Sequence, residues 1–498
     1  MAGTAPRVRF APSPTGYFHV GSARAALFNW LVARQAAGTF VLRIEDTDAE
    51  RGREEWVEGI LTAMHWLAMD PDEGPYRQSL RTERYRQAVD ALWDGGLLYA
   101  CGCTHEEIEA RHKANGITTP GYDGHCRALG LSRGEGLALR FRTPEEGITT
   151  VCDVIRGDVE FPCSAMDDFV VVKASGAPLF VLANVVDDID MAITHVIRGE
   201  DLLPTTPRGI LVWEALGSNG WTTDGTAGLA AGAPTPALPH FAHLPMLVNE
   251  ARKKLSKRRD PVAVESYRDQ GYLPEAFMNY LGLLGWSPPE GADEKFTLDQ
   301  MLQWFRLEDV NHSPAFFDVA KLTHMNGGYI RAMSTASFIE ACRPWLSGKG
   351  CPWPEDRFDE SAFIAIAPVV QERVAVLGEV PAMVDFLFLD APVIDSDAWA
   401  SAVAGDDTAP VILAGTIATY DELRSGWTSE ALHAATLTVA EGVGRKLGKA
   451  QAPVRVAVTG RRVGPPLFEA LEVLGPDRTL ARLRAALARL DGTDPPAS

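Results

Sequence analysis

The chain has 498 residues, 46% hydrophobic and 23% charged, an ordinary globular mixture too long for a single hydrophobic core. No apolar run approaches the roughly 18 residues a membrane helix needs, and the start lacks the apolar core of a secretory signal, so a cytoplasmic protein with no membrane partner is expected. Seven cysteines in so long a chain argue against a disulfide framework, and a net charge of −19 argues against non-specific nucleic-acid binding.

Taken in chain order, residues 8–11 read as a short strand, broken by Pro12-Ser13-Pro14-Thr15-Gly16. Residues 23–37, rich in Ala and Leu, predict a helix with Gly38 as its C-cap. Residues 39–44 predict a buried strand running into Glu45-Asp46-Thr47-Asp48, so the chain opens as an α/β sheet. Helices follow at 53–67 and 81–95. From Tyr99 to about Asp190 the texture changes to Cys, Gly, His and short strand-like pieces, as in an insertion between two halves of the sheet. Residues 193–197 predict another buried strand. Residues 217–239, rich in Gly, Ala, Thr and Pro, predict a flexible loop, and residues 323–498 are nearly all helix. Two stretches run against the acidic whole: residues 252–259 hold six basic residues, and residues 445–489 hold ten basic and three acidic ones. Each is either a solvated face or a surface for a polyanion.

Two short motifs carry chemistry. His19-Val20-Gly21-Ser22 sits where a helix begins, and helix-start N–H groups attract phosphate. Gly21 lets a nucleotide approach the backbone, and His19 can donate to a phosphate oxygen. Lys254-Leu255-Ser256-Lys257-Arg258 reads as a mobile clamp whose ammonium groups offset charge on the β- and γ-phosphates. Each has a plainer reading, a surface histidine and a solvated loop.

The run Arg9-Phe10-Ala11-Pro12-Ser13-Pro14-Thr15-Gly16-Tyr17-Phe18-His19-Val20-Gly21-Ser22 resembles the "HIGH" region of class I aminoacyl-tRNA synthetases, and residues 254–258 resemble their "KMSKS" counterpart. Arg43-Ile44-Glu45-Asp46-Thr47-Asp48, Ala183-Asn184-Val185-Val186-Asp187-Asp188, Thr194-His195-Val196-Ile197-Arg198-Gly199-Glu200-Asp201 and Gly271-Tyr272-Leu273-Pro274-Glu275 are similar to glutamyl-tRNA synthetases in particular. The resemblance runs in order along the chain, through Leu447-Gly448-Lys449, Thr459-Gly460 and Gly464-Pro465. It implies a Rossmann-like catalytic domain in two halves (1–98 and 191–250), an inserted acceptor-stem-binding α+β domain (99–190), a KMSKS-like loop with a stem-contact domain (251–322), and a helical anticodon-binding domain (323–498). The reaction it implies joins L-glutamate to ATP, with Mg2+, as glutamyl-adenylate, then passes the glutamyl group to the 3′-terminal ribose of tRNA(Glu). A monomer is expected.

Carried onto this chain, the resemblance makes His19, Gly21, Lys254, Ser256 and Lys257 the catalytic, ATP-binding set. It has Arg9 and Arg198 bind the glutamate carboxylate, Glu45 hold the ammonium, and Ser13 and Asn184 orient the substrate. A guanidinium fork matches a carboxylate, whereas an amide offers no charge to pair. The plainer reading pairs Glu45 in a loop salt bridge and Arg198 with Glu200 or Asp201. Phe180 stands where many family members carry tyrosine, which predicts weaker glutamate binding through a lost hydroxyl. Cys101, Cys103, Tyr122 and Cys126 are similar to the zinc ligands of the acceptor-stem insertion in some members, with Ala128 where others place a ligand and His125 as a competing fourth. The plainer reading is three free cysteines in a reducing compartment. Alternatives to a glutamate enzyme are a glutaminyl-tRNA synthetase, a non-discriminating enzyme that also charges tRNA(Gln), a truncated glutamyl-queuosine-type relative, and an idle tRNA-binding paralogue. The long helical tail argues against the truncated form, and the intact motifs against the idle one.

Overall fold

The computed structural model describes residues 5–47, 52–118, 121–226, 231–256, 260–348 and 350–492. The chain forms two compact units, Met1–Arg268 with Pro274–Val319, and Asp269–Leu273 with Ala320–Ser498. No helix among the described residues is long and apolar enough to cross a membrane.

The first unit is built on strands β1 (Arg7–Phe10), β2 (Thr39–Ile44), β3 (Glu73–Arg77), β4 (Leu98–Cys101), β5 (Ala138–Phe141), β6 (Ile148–Asp153), β7 (Gly157–Pro162), β8 (Val170–Val172), β9 (His195–Gly199) and β10 (His240–Leu244). Its helices include α1 (Val20–Gln35), α2 (Glu54–Trp66), α3 (Thr82–Asp94), α4 (His105–Ala114), α5 (Phe180–Asp190) and α6 (Thr206–Ser218). The main sheet has the order β3-β2-β1-β9-β10-β6-β7, parallel except for the β6–β7 hairpin. A parallel sheet is covered on both faces, so β2 is buried along nearly its whole length, Arg43 included. The chain moves outward from β1 through β2 to β3, then returns to β9 on the other side of β1. That reversal opens a crevice at the carboxyl ends of β1 and β9, the usual ligand site of an open α/β sheet.

The segment 99–190, expected as one insertion, divides in the structure. Strands β4, β5 and β8 form a separate antiparallel sheet with α4 nearby in sequence. The β6–β7 hairpin instead joins the main sheet through Phe241 opposite Asp153. Helix α5 packs with Leu182 and Val186 in the core shared by Tyr85, Leu92, Val212 and Leu216. It thus belongs with α3 and α6 and brings Asn184 and Asp188 under the crevice.

Three local expectations change. Helix α1 starts three residues earlier than predicted, because His19 caps it. Its left-handed terminal residue is Ala37 (φ 47°), not Gly38. Gly38 is required by packing instead, since a Cβ there would lie 2.2 Å from the Pro6 carbonyl oxygen. The 217–239 stretch is partly helix, as α6 runs to Ser218. Residues 227–230 lie outside the described residues, but the flanks are tied together. Thr222 bridges Pro234, Thr235 donates to Trp221, and Trp213 donates to Pro236.

The second unit is helical, with Thr335–Leu346, Glu360–Gln371, Ala409–Glu422, Ser429–Gly442, Leu447–Thr459, Leu467–Leu474 and Pro476–Leu490 among its helices. Its basic stretch is not simply an open polyanion face. Arg455 donates to the Pro465 carbonyl, and Arg461 pairs with Asp385. Arg478 and Arg482 donate to the carbonyls of Leu387, Leu389 and Val458. These side chains close the ends of helices and turns that would otherwise leave carbonyls unpaired.

Candidate active site

The crevice holds a cavity of about 670 Å³. Arg9, Ser13, His19, Gly21, Glu45, Phe180, Asn184, Arg198 and Lys254 all line it, drawn from six separate stretches of sequence.

His19 is the N-cap of α1, and its Nδ1 accepts the N–H of Gly21 over 2.9 Å. In the neutral ring this leaves the proton on Nε2, the nitrogen able to donate to a phosphate. A Cβ at Gly21 would lie 3.2 Å from that Nδ1, so a larger residue there would crowd the His19 cap. The first motif is tied to the segment that follows the second. Val20 N–H donates to Val262, Val264 N–H donates to Phe18, and His19 bridges Ala263. Lys254 pairs with Asp201 at 3.0 Å, and both groups are more than half exposed. Ser256 sits outside the cavity wall, its backbone N–H bonded to Asp260 at 2.7 Å. Lys257 and Arg258 lie outside the described residues, as does Asp48.

Beneath the cavity is a buried charge network. Asp188 accepts from Arg43 Nη1 at 2.6 Å and from Arg9 Nε at 3.2 Å. Arg43 also donates to Asn184 Oδ1 and lies 3.7 Å from both Glu45 and Asp187. Burial works against the Arg43 charge, but Asp188, Asp187 and Glu45 outweigh it and raise its pKa. Asp188 is likewise held ionised: burial opposes its charge, and Arg9 and Arg43 overcome that. Glu45 moves the other way. Burial pushes its carboxyl up despite Arg43, the condition of a carboxylate that lacks a full counter-charge. Ser13 reaches it only at 3.5 Å. Asn184 Nδ2 makes no hydrogen bond of normal geometry within the protein, although it sits close enough to Glu45 to favour its charge.

Arg198 does not pair with Glu200 or Asp201. Glu200 is taken by Arg156 and by the N–H of Met246, and Asp201 by Lys254. Arg198 bonds Thr206 and His243 instead, and burial with the charge of Arg9 brings it down to about 10, still protonated at neutral pH. Arg43, Asp188, Thr206 and His243 had no assigned role in the sequence. The available signal was a charged residue inside an apolar run, Arg43 in β2 and Asp187-Asp188 in α5, because a charge so placed must be paired.

A second cluster lies beside β4. The sulfurs of Cys101, Cys103 and Cys126 fall within 4.8 Å of one another, and no other group of three or more metal-binding side chains occurs among the described residues. The Tyr122 hydroxyl lies 3.4 Å from Cys101 Sγ and 3.8 Å from Cys103 Sγ, and accepts from the Cys126 N–H at 2.7 Å. His125 is exposed and does not join the group. Burial opposes a Cys101 thiolate, but hydrogen bonds from Tyr122 and Arg140 outweigh it and bring the thiol down to about 7.

The chain is similar to known proteins over nearly its whole length. The chain matches the family of class I tRNA synthetases (E and Q), catalytic domain, over residues 6–224 and 232–324, and the anticodon binding domain family over residues 337–487. It is 55% identical over 488 residues to the glutamate–tRNA ligase of Frankia casuarinae, covering 98% of each chain. It is 52% identical to that of Thermobifida fusca, covering 98% of this chain and 99% of the relative. The crystal structure of a glutamate–tRNA ligase from Elizabethkingia meningosepticum in complex with its amino acid superposes with a TM-score of 0.79 at 30% identity, over 98% of this chain and 100% of that one. The chain belongs to the glutamate–tRNA ligase family of class I tRNA synthetases.

Proposed function

We propose that the cavity activates L-glutamate with ATP and passes it to the 3′-terminal ribose of tRNA(Glu). The observation that carries this reading is the pairing of Arg9 and Arg198 with Glu45 in the same cavity as His19 and Lys254. Two guanidinium groups suit a substrate carboxylate, and an under-compensated buried carboxylate suits its ammonium. Glutamine would leave the guanidinium edge without a charge to meet.

In the first step an oxygen of the α-carboxylate of glutamate, not of the side-chain carboxylate that the guanidinium groups would hold, attacks the α-phosphorus, and pyrophosphate leaves with the electron pair of the broken P–O bond. The carboxylate is already ionised at neutral pH, so no general base is required. His19 Nε2–H and the Lys254 ammonium, released from Asp201, would offset charge on the phosphates. In the second step a ribose hydroxyl attacks the acyl carbon and AMP departs. Mg2+ would arrive on the ATP phosphates, its preferred ligands. A deletion of Arg198 charge, Arg198→Ala, should abolish glutamate-dependent pyrophosphate exchange. Exchange that survives at the parent rate would contradict the reading.

We further propose that Cys101, Cys103 and Cys126, with Tyr122 as fourth ligand, hold a structural zinc ion. Zn–S bonds of about 2.3 Å in a tetrahedron put sulfurs roughly 3.8 Å apart, and Cys103 and Cys126 stand at 3.4 Å. Bound zinc would supply only a fixed corner for the β4–β5–β8 sheet. Protein purified without chelator should carry close to one zinc per chain, and Cys126→Ser should lose it. A metal-free preparation that is fully folded would remove this proposal.

A further inference from the structure

Arg198 is gripped from behind. Its Nε donates to His243 Nε2 at 3.4 Å and its Nη2 donates to Thr206 Oγ1 at 2.8 Å. Thr206 Oγ1 lies 2.9 Å from the same His243 nitrogen, which closes a triangle. His243 stands directly opposite Arg198 in the β9–β10 register, and its side chain is fully buried. On its other side, Nδ1 lies 2.6 Å from Asp153 Oδ2, and the backbone N–H of His243 donates to that same oxygen at 3.0 Å. The remaining Asp153 oxygen accepts the N–H groups of Ile155 and Arg156, each at 2.9 Å. The carboxylate is thereby held still at the end of β6.

The protonation state follows from the donors. A guanidinium N–H can only donate, so His243 Nε2 must present a lone pair and the ring proton must sit on Nδ1, toward Asp153. Burial also keeps the imidazole neutral; Asp153 opposes that lowering, and the Arg198 charge adds to it. Of the five N–H bonds of Arg198, one at Nε and one at Nη2 are spent here. The three left lie on Nη1 and the outer side of Nη2, the edge that meets a carboxylate in two parallel bonds.

We propose that His243, anchored by Asp153, is a positioning residue that fixes the plane of the Arg198 guanidinium and so sets the preference for glutamate over glutamine. This rests on the reading that Arg198 binds the substrate carboxylate. A chain of buried hydrogen bonds orienting a binding group is the arrangement that holds a site to within a fraction of an ångström.

The test compares four purified full-length variants by pyrophosphate exchange, with melting curves to establish folding. Arg198→Lys tests the underlying reading and should raise KM for glutamate steeply. His243→Leu keeps bulk but removes the acceptor, and should raise KM for glutamate about tenfold, the size of a lost hydrogen bond to a charged group. KM for ATP should stay at the parent value, and the glutamate-to-glutamine ratio should fall. His243→Gln places an amide oxygen near the former Nε2 and should recover most of that loss. Thr206→Val removes the second grip together with the Thr206–His243 contact but leaves the Arg198–His243 bond, and should give a smaller rise in KM for glutamate; it serves also where His243→Leu fails to fold. If Arg198→Lys leaves KM for glutamate unchanged, the reading of the cavity fails and this proposal with it. If Arg198→Lys raises it while the Leu and Val variants do not, or if Leu and Gln behave alike, only the positioning role is overturned.

Discussion

Replacing Asp188 by asparagine should weaken both the fold and the site. Asp188 lies between two buried guanidinium groups, with Arg43 fully buried and Arg9 only 3% exposed. The amide keeps the shape and one acceptor oxygen but removes the charge. Breaking a buried ion pair by deleting one partner costs about 3–5 kcal/mol, and the retained acceptor places this change near the lower end. Arg43 still has Asp187 and Glu45 at 3.7 Å, whereas Arg9 loses the acid it is bonded to. With a urea m-value near or above 3 kcal/mol/M for so large a unit, the midpoint should fall by about 1 M. Freed from its anchor, Arg9 should drift, and a displacement near 1 Å lowers kcat/KM for glutamate by about 100-fold. Arg43→Gln combined with Asp188→Asn should cost less than the sum of the two changes, since a positive and a negative charge leave together. A urea midpoint unchanged from the parent, or strict additivity in the double variant, would refute the claim that this network supports the site.

Three further outcomes follow from other residues. Phe180→Tyr should lower KM for glutamate several-fold, worth about 1 kcal/mol for a regained hydrogen bond; an unchanged KM would show that the missing hydroxyl is irrelevant here. Glu45 has its carboxyl raised by burial, so the native state holds its proton more firmly than the unfolded chain does. Below the unfolded value of about 4.3 both states are protonated and the group costs nothing; as pH rises above it, the cost of keeping a buried charge grows to its full value. Glu45→Gln should therefore melt no lower than the parent at pH 7.5 while raising KM for glutamate, and the parent's own KM should climb on acidification well before an ordinary carboxylate titrates; a large drop in melting temperature for the variant would contradict this. Gly38→Ala should lose about 1–3 kcal/mol by collision with the Pro6 carbonyl, and several degrees of melting temperature, while Ala37→Gly should be neutral or stabilising; the reverse order would restore Gly38 as the helix cap.

Residues that close a strand or open a helix were readable in the sequence, because turn residues and the periodicity around them mark those points. Arg9, His19, Glu45 and Arg198 all sit at such points, and all line one cavity. What was not readable depends on register between distant strands. Asp153 and His243 meet only because β6 joins β10 at Phe241, a pairing with no local signal. For the same reason the β6–β7 hairpin looked like part of an insertion. The alternating burial along β6 marks a strand with one covered face but does not say which sheet covers it. The arginines of the C-terminal helices show the same limit. Composition reports their charge, while only the fold shows Arg478 and Arg482 spent on carbonyls. Gly38 reads as a helix cap because a glycine after a helix and a glycine packed under a proline look alike in sequence.

The most direct test is aminoacylation of purified tRNA(Glu) and tRNA(Gln) with labelled glutamate and labelled glutamine, run in parallel with the parent and Arg198→Ala. Glutamate selection through Arg198 predicts glutamate on tRNA(Glu), no glutamine on either tRNA, and loss of charging in the variant. Charging with glutamine, or full activity without the Arg198 guanidinium, would contradict it.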